Sequence, residues 1–304
     1  MLRRGVLTGS VLHAMAITVP IGVPLFAIAL VPFGGFDVLA GFDLPAWSWL
    51  SLAGVVHFVA GRYGNYKATH ALGAALSAPI QQLSVPIAVL LALWLLDEAL
   101  TPLRFVGFVL VMLGPFISMG PKKARTPKSQ KEGFHPRYGP GIFWGSVAAF
   151  GYGISPLLII FGLGTERTLT GSIAGGLVSY AAATLVLVIP IATAGGIGFL
   201  RKLDPEAGKW FVRSGVFVFL SQALRYMSLA VAPVSVVVPI QRLSVIFRVL
   251  FSWWMNRDHE VLGMRVLVGI LVSVIGAIAL TLSTEIVAAW IPASFAWLVS
   301  IEWP

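Results

Sequence analysis

The stretch Pro79-Ile80-Gln81-Gln82-Leu83-Ser84-Val85 returns later in the chain as Pro239-Ile240-Gln241-Arg242-Leu243-Ser244-Val245. Each copy lies inside a long apolar run. In a soluble chain a repeat of this kind points to a solenoid. In a string of bilayer-length apolar segments it points to an internally duplicated carrier, with the repeated helices lining a path.

The surrounding composition selects the membrane reading. Of 304 residues, 58% are apolar and 11% charged, and the mean hydropathy is +0.90. Soluble domains carry roughly 25% charged residues, so this chain cannot cover a water-facing surface. A net charge of +9 raises nucleic acid as a partner. The bases, however, gather between apolar segments, where membrane topology puts them, and no nucleic-acid role is expected. There are no cysteines, which excludes disulfides, thiolate metal sites and cysteine nucleophiles. Neither a metal site nor a cofactor is implied.

A crossing takes about 20 apolar residues. Segments of that kind run over Val6–Val31, Ala46–Val59, Ala71–Leu96, Leu103–Met119, Gly141–Leu163, Gly171–Thr193, Trp210–Leu229, Val231–Met255 and Val266–Ser283. The expected fold is therefore all-α and polytopic, with about nine transmembrane helices. The tail, residues 286–304, is short, interrupted by Pro292, and carries Trp290, Trp297 and Trp303. It reads as an interfacial helix rather than a crossing.

The duplication extends well beyond the opening phrase. Leu7-Thr8-Gly9-Ser10-Val11 matches Leu169-Thr170-Gly171-Ser172-Ile173, and Asn65-Tyr66 falls where Arg225-Tyr226 falls. Trp94 matches Trp254, Glu98 matches Glu260, and Gly107 and Gly114 match Gly269 and Gly276. The helix Gly141–Leu163 precedes the second Leu-Thr-Gly-Ser element, and the first copy has no counterpart. The pattern is five-plus-five lacking its first helix. Helices five apart in order run in opposite directions, so the two repeats are inverted. The expected organisation is a first repeat over 1–120, a basic cytoplasmic linker over 121–140, a second repeat over 141–285 and the tail.

With a cytoplasmic amino terminus, Arg3, Arg4, Arg62, Lys67, the bases of 122–137, Arg201, Lys202, Lys209, Arg257 and Arg265 fall inside. Only Arg104, Arg167 and Arg225 fall in or near outside turns, the bias that the positive-inside rule describes.

These residues resemble the drug/metabolite transporter superfamily and its EamA-type members. The second copy reads Ala223-Leu224-Arg225-Tyr226, then Val238-Pro239, then Asp258-His259-Glu260, then Gly269 to Gly276. The first reads Asn65-Tyr66, Ala78-Pro79, Asp97-Glu98 and Gly107 to Gly114. The family's Gly-Glu-Arg turn stands here as Asp97-Glu98-Ala99 and His259-Glu260-Val261, without glycine or arginine. The resemblance implies a ten-helix carrier with both termini in the cytoplasm. That would place the basic linker outside, against the charge distribution.

Arg242 is the sharpest functional candidate, because an arginine at mid-membrane depth is costly and the 12 carboxylates all lie in loops, helix ends or the tail. Its partner is then a backbone carbonyl, water or an anionic substrate group. Arg248, six residues on, either snorkels or joins it. Gln81, Gln82 and Gln241 serve as substrate contacts or as interhelical glue. Pro79 and Pro239 each remove a backbone donor and kink their helices at matched positions. His57 and His13 lie within helices as titratable or hydrogen-bonding groups. Glu98 reads as a turn and helix-dipole residue, and Thr101-Pro102 as a cap with a first-turn proline. The glycine pairs read as packing surfaces.

The expected function is a secondary transporter of a small polar or amphipathic metabolite, anionic if Arg242 binds it, working by alternating access in the cell membrane. The alternative is a non-transporting membrane partner or lipid-translocation component. No catalytic cluster is visible, so an enzyme is not expected. The lipid bilayer is the surrounding partner, and a homo-oligomer is left open.

Overall fold

The computed structural model of the chain describes residues 10–98, 100–118, 137–164, 167–241, 243–244, 247, 264–282, 292 and 294. Among these there is no β-strand. The helices are α1 (Val11–Thr18), α2 (Gly22–Leu30), α3 (Gly35–Ala40), α4 (Leu44–Gly54), α5 (Arg62–Gln82), α6 (Ser84–Leu95) and α7 (Pro102–Ser118). They continue as α8 (Tyr138–Leu163), α9 (Leu169–Thr193), α10 (Gly196–Leu200), α11 (Pro205–Val231), α12 (Val234–Gln241) and α13 (Met264–Leu282). A π-helical segment, Val55–Gly61, joins α4 to α5 without a break.

Starts follow local chemistry. The side chains of Ser10, Asp43, Thr168 and Asp204 accept hydrogen bonds from the backbone N–H groups of His13, Ala46, Gly171 and Ala207 at 2.8–3.2 Å. Such caps satisfy donors that a helix start leaves open. Thr101 caps α7 through Arg104 N at 3.2 Å, with Pro102 at the first helical position, as expected.

Among the described residues, five stretches are long and apolar enough to cross a membrane: Val11–Leu30, Leu44–Leu72, Tyr138–Leu163, Leu169–Thr193 and Pro205–Val231. Shorter apolar helices occupy Ile80–Leu95, Pro102–Gly114 and Leu271–Leu280. Large apolar side chains such as Trp94, Leu185, Phe217 and Leu224 stand exposed on the outer faces, where lipid replaces water. This is an all-α, polytopic membrane protein. Residues 121–136 of the linker, most of the tail, and the run from Arg248 to Gly263 lie outside the described residues, and α8 begins at Tyr138, within the expected linker.

Helices α8 and α9 form the centre, each with 61% of its most apolar 18 residues buried, against 22% for α11. Leu50 packs at Gly162, Val56 at Gly151, Gly64 at Trp144 and Ala148, and Leu72 at Gly141, so Leu44–Leu72 descends antiparallel to α8. Ile80 then meets Gly145, and Ser84 and Ile87 meet Gly153. The chain therefore turns back along α8 between Leu72 and Ile80.

That path corrects one expectation. The second span does not end at Val59 with Arg62 in a cytoplasmic turn. Helix continues through Arg62, which is only 5% exposed. Arg225, expected in or near an outside turn, lies inside α11 and is 6% exposed. Both were displaced by the same assumption, that a basic residue ends an apolar span. Here buried polar partners keep each one inside.

The matched glycines meet one another. A Cβ on Gly107 would stand 2.8 Å from the Gly276 carbonyl oxygen, and one on Gly276 would stand 2.7 Å from that of Gly107. Gly114 faces the Gly269 carbonyl at 2.5 Å by the same measure. Equivalent helices α7 and α13 thus cross antiparallel through equivalent residues, as inverted repeats would.

A further link joins α6 to α12. Asp97 has φ 50°, the left-handed region that glycine favours, at the position where the family resemblance puts glycine. Beyond this turn the Glu98 carboxylate accepts from Val234 N at 2.7 Å and Ser235 N at 2.9 Å. Glu98 is a helix-dipole residue, as expected, but for α12 rather than its own neighbour. Glu98→Ala is expected to lower the unfolding free energy by about 1–2 kcal/mol. Thermal unfolding in detergent reads this, and Glu98→Gln should lose only part of it.

Candidate functional site: a buried arginine cluster

The π-helical segment carries His57. A π turn inserts an extra residue and is common at functional sites. Glycines bring the backbones close on both sides of it. A Cβ on Gly151 would lie 2.9 Å from the Val56 carbonyl oxygen, and one on Gly61 would lie 2.9 Å from the Tyr152 ring. His57 thereby reaches α8, with its Nδ1 2.8 Å from Ser155 Oγ and its ring 4.7 Å from that of Tyr152.

Arg225 completes the cluster from α11. Its Nη2 donates to Ser155 Oγ at 2.7 Å, and its Nη1 donates to Gln222 Oε1 at 3.2 Å. Nη1 also stands 3.2 Å from His57 Nδ1 and 3.4 Å from Nε2. Arginine only donates. Ser155 therefore accepts from Arg225, and its own hydrogen lies within reach of His57 Nδ1 and, at 3.5 Å, of the Tyr152 carbonyl oxygen.

Arg62 stands on the other side of the same region. Its guanidinium lies 5.1 Å from the Phe58 ring centroid, and its Nη1 makes a long hydrogen bond of 3.5 Å to Thr18 Oγ1. The hydroxyl of Tyr180 lies beside Arg62 and that of Tyr226 beside Ser179. Phe58 packs on His57 at 4.8 Å and on Tyr180 at 4.1 Å, joining the two arginines through one aromatic layer.

No ion pair ties either arginine to a carboxylate among the described residues. Asp37, Asp43, Asp97, Glu98, Asp204 and Glu206 all lie at helix ends or turns. The register that aligns Asn65 with Arg225 aligns Arg62 with Gln222. Each repeat thus places an arginine and an amide three residues apart on a helix, in opposite order. Asn65 uses its amide to donate to the Tyr152 hydroxyl at 3.2 Å. This reciprocal pair was the signal in the sequence for both arginines, and hydropathy alone hid it.

The expected site residues divide accordingly. His57 sits within the cluster. Gln81 and Gln82 are buried at the break between α5 and α6, between Ile80, which meets Gly145, and Ser84, which meets Gly153. Gln82 Nε2 and Gln241 Nε2 are buried without a hydrogen-bond partner among the described residues. Pro239 is buried within α12, and Pro79 lies within the helical backbone of α5. Arg242 and Arg248 fall outside the described residues. His13 stacks on Phe199 at 3.9 Å and bonds to its carbonyl at 2.9 Å, a packing role.

Beside Arg62, Leu12, Met15, Val59, Tyr63, Leu187 and Pro190 line an apolar crevice of about 220 Å³. A larger hollow of about 590 Å³ opens on Asp204, Glu206, Lys209 and Arg213 at the start of α11 and contains none of the cluster.

A search of curated proteins finds no match. A solved crystal structure aligns over 91% of this chain and 91% of its own, at a TM-score of 0.65 and 17% identity, a likeness of fold. Residues 1–120 match the model of the EamA-like transporter family. The resemblance carried by Asn65-Tyr66, Ala78-Pro79, Asp97-Glu98 and the Gly107–Gly114 pair is borne out over that stretch, which is similar to the EamA-like transporter family.

Proposed function

We propose that this protein is a secondary carrier in the cell membrane that moves a small polar or amphipathic metabolite, rather than an enzyme. The observation that carries the reading is the buried cluster of Arg62, Arg225, His57 and Ser155 at the heart of the helical bundle. Intramembrane cations that face the interior mark substrate paths. Each arginine comes from a different half, so a substrate held between them would touch both repeats. Rocking of one repeat against the other would then open the cluster to either side in turn. The α7–α13 glycine crossing supports a pivot, and the break at Leu83 and the proline at 239 support the moving parts.

The test is flux in proteoliposomes made with the full chain. Uptake of at least one small metabolite from a broad panel, lost in Arg225→Ala, is expected. If no metabolite moves, and cells carrying Arg225→Ala match wild type in metabolite content, the carrier reading falls. A membrane partner without transport would then be the better description.

A further inference from the structure

We infer that the buried cluster binds a small dianion, a dicarboxylate or a phosphate ester, whose two charges answer Arg62 and Arg225; this rests on the carrier reading and names its substrate class. The argument begins with charge. Both guanidiniums are withdrawn from water, at 5% and 6% exposure, and guanidinium stays protonated under all ordinary conditions. None of their hydrogen-bond partners among the described residues carries a negative charge: Gln222, His57, Ser155 and Thr18. The bundle core therefore holds two positive charges and no described negative one. Buried charges are normally paired.

One run of contacts links the two guanidiniums. Arg62 stacks over Phe58, Phe58 packs on His57, and His57 contacts Arg225, at 5.1, 4.8 and 3.2 Å. Tyr152 and Tyr180 stand within electrostatic reach of both guanidiniums. Hydrogen-bonding capacity points the same way. Arg62 has five donor hydrogens and, among the described residues, a long bond to Thr18 with the Tyr180 hydroxyl close beside it. Planar forks of this kind bind carboxylate or phosphate oxygens in pairs. A single monoanion would neutralise only one of the two. A neutral metabolite would leave both uncompensated.

The partner swap supplies the test. Gln222 already touches Arg225 through Oε1, so Gln222→Glu changes the shape little and places a carboxylate where the ligand's charge would act. Purified full chain in detergent is titrated with succinate, inorganic phosphate, acetate, glycerol and choline, and thermal unfolding is followed. Binding to the native state raises the midpoint with concentration. Succinate or phosphate is expected to stabilise wild type at concentrations at least tenfold lower than acetate does, with glycerol and choline inert. Gln222→Glu is expected to raise the ligand-free midpoint and weaken dianion binding at least tenfold. Arg62→Lys is expected to keep part of the response.

Two results would overturn the inference. One is a dianion response no stronger than that of acetate or glycerol. The other is a Gln222→Glu protein that binds dianions as tightly as wild type. Flux of a neutral or cationic metabolite without any dianion response would sink the dianion alone and leave the carrier standing. Dianion binding without flux of any metabolite would keep the site and remove the carrier.

Discussion

Arg62→Met is expected to raise thermal stability and abolish flux together. The sign follows from the partners of Arg62. Withdrawing a cation from water costs several kcal/mol even after the protein relaxes. Against this stand a 3.5 Å bond to Thr18, which already donates to Ala14 O at 2.7 Å, and the face of Phe58. Methionine fills similar volume, adapts to irregular spaces and carries no charge. Replacing buried ionic groups by apolar ones of like size can stabilise by about 1–4 kcal/mol, and the gain should fall in that range. An arginine retained for structure would give the opposite result, a lower unfolding midpoint with flux reduced only in proportion to folded protein. Thermal unfolding and initial uptake rate, measured on the same preparation, separate the two. Arg225 would not give so clean a sign, because its removal strands Gln222, Ser155 and His57.

The contrast between these two arginines shows where the sequence could be read and where it could not. Spans built from uninterrupted apolar runs were legible almost to the residue, Gly171–Thr193 against Leu169–Thr193 for instance. Repetition also made contacts legible. Gly107 and Gly276 were recognised as packing residues, and they meet. The arginines were not legible, because a base in an apolar stretch satisfies the topology rule and is absorbed into a loop. Only the fold brings His57, Ser155 and Arg225 together from positions about one hundred and seventy residues apart at the extreme. Arg62, Asn65, Gln222 and Arg225 were aligned by the repeat register, but their reciprocity means little until two helices face the same aromatic layer. His57 was singled out because a polar residue inside an apolar run has no topological excuse.

The π segment also makes Gly54 the position where the smallest added group should do the most damage. Gly54 has φ −62° and ψ −50°, ordinary helical values that alanine adopts freely. Alanine in an ordinary helix interior gains up to about 1 kcal/mol over glycine. Gly54→Ala should reverse that sign, because a Cβ there would fall on the Ser179 carbonyl oxygen and stand 2.6 Å from its carbon. The obstacle is backbone of α9, which cannot rotate away as a side chain could. Separating α4 from α9 would also break the 2.6 Å bond from Ser179 Oγ to the Leu50 carbonyl, just before the π turn. Overpacking of a close contact costs about 1–3 kcal/mol, and the backbone obstacle places this case at the upper end. His57 would shift with the turn that carries it, so flux should fall further than the loss of folded protein explains. Gly139→Ala is the control. A Cβ at Gly139 meets nothing within 4 Å, so stability there should be unchanged or slightly raised. Equal effects at the two positions, read by thermal unfolding in detergent, would show that the α4–α9 contact does not hold the π turn in place.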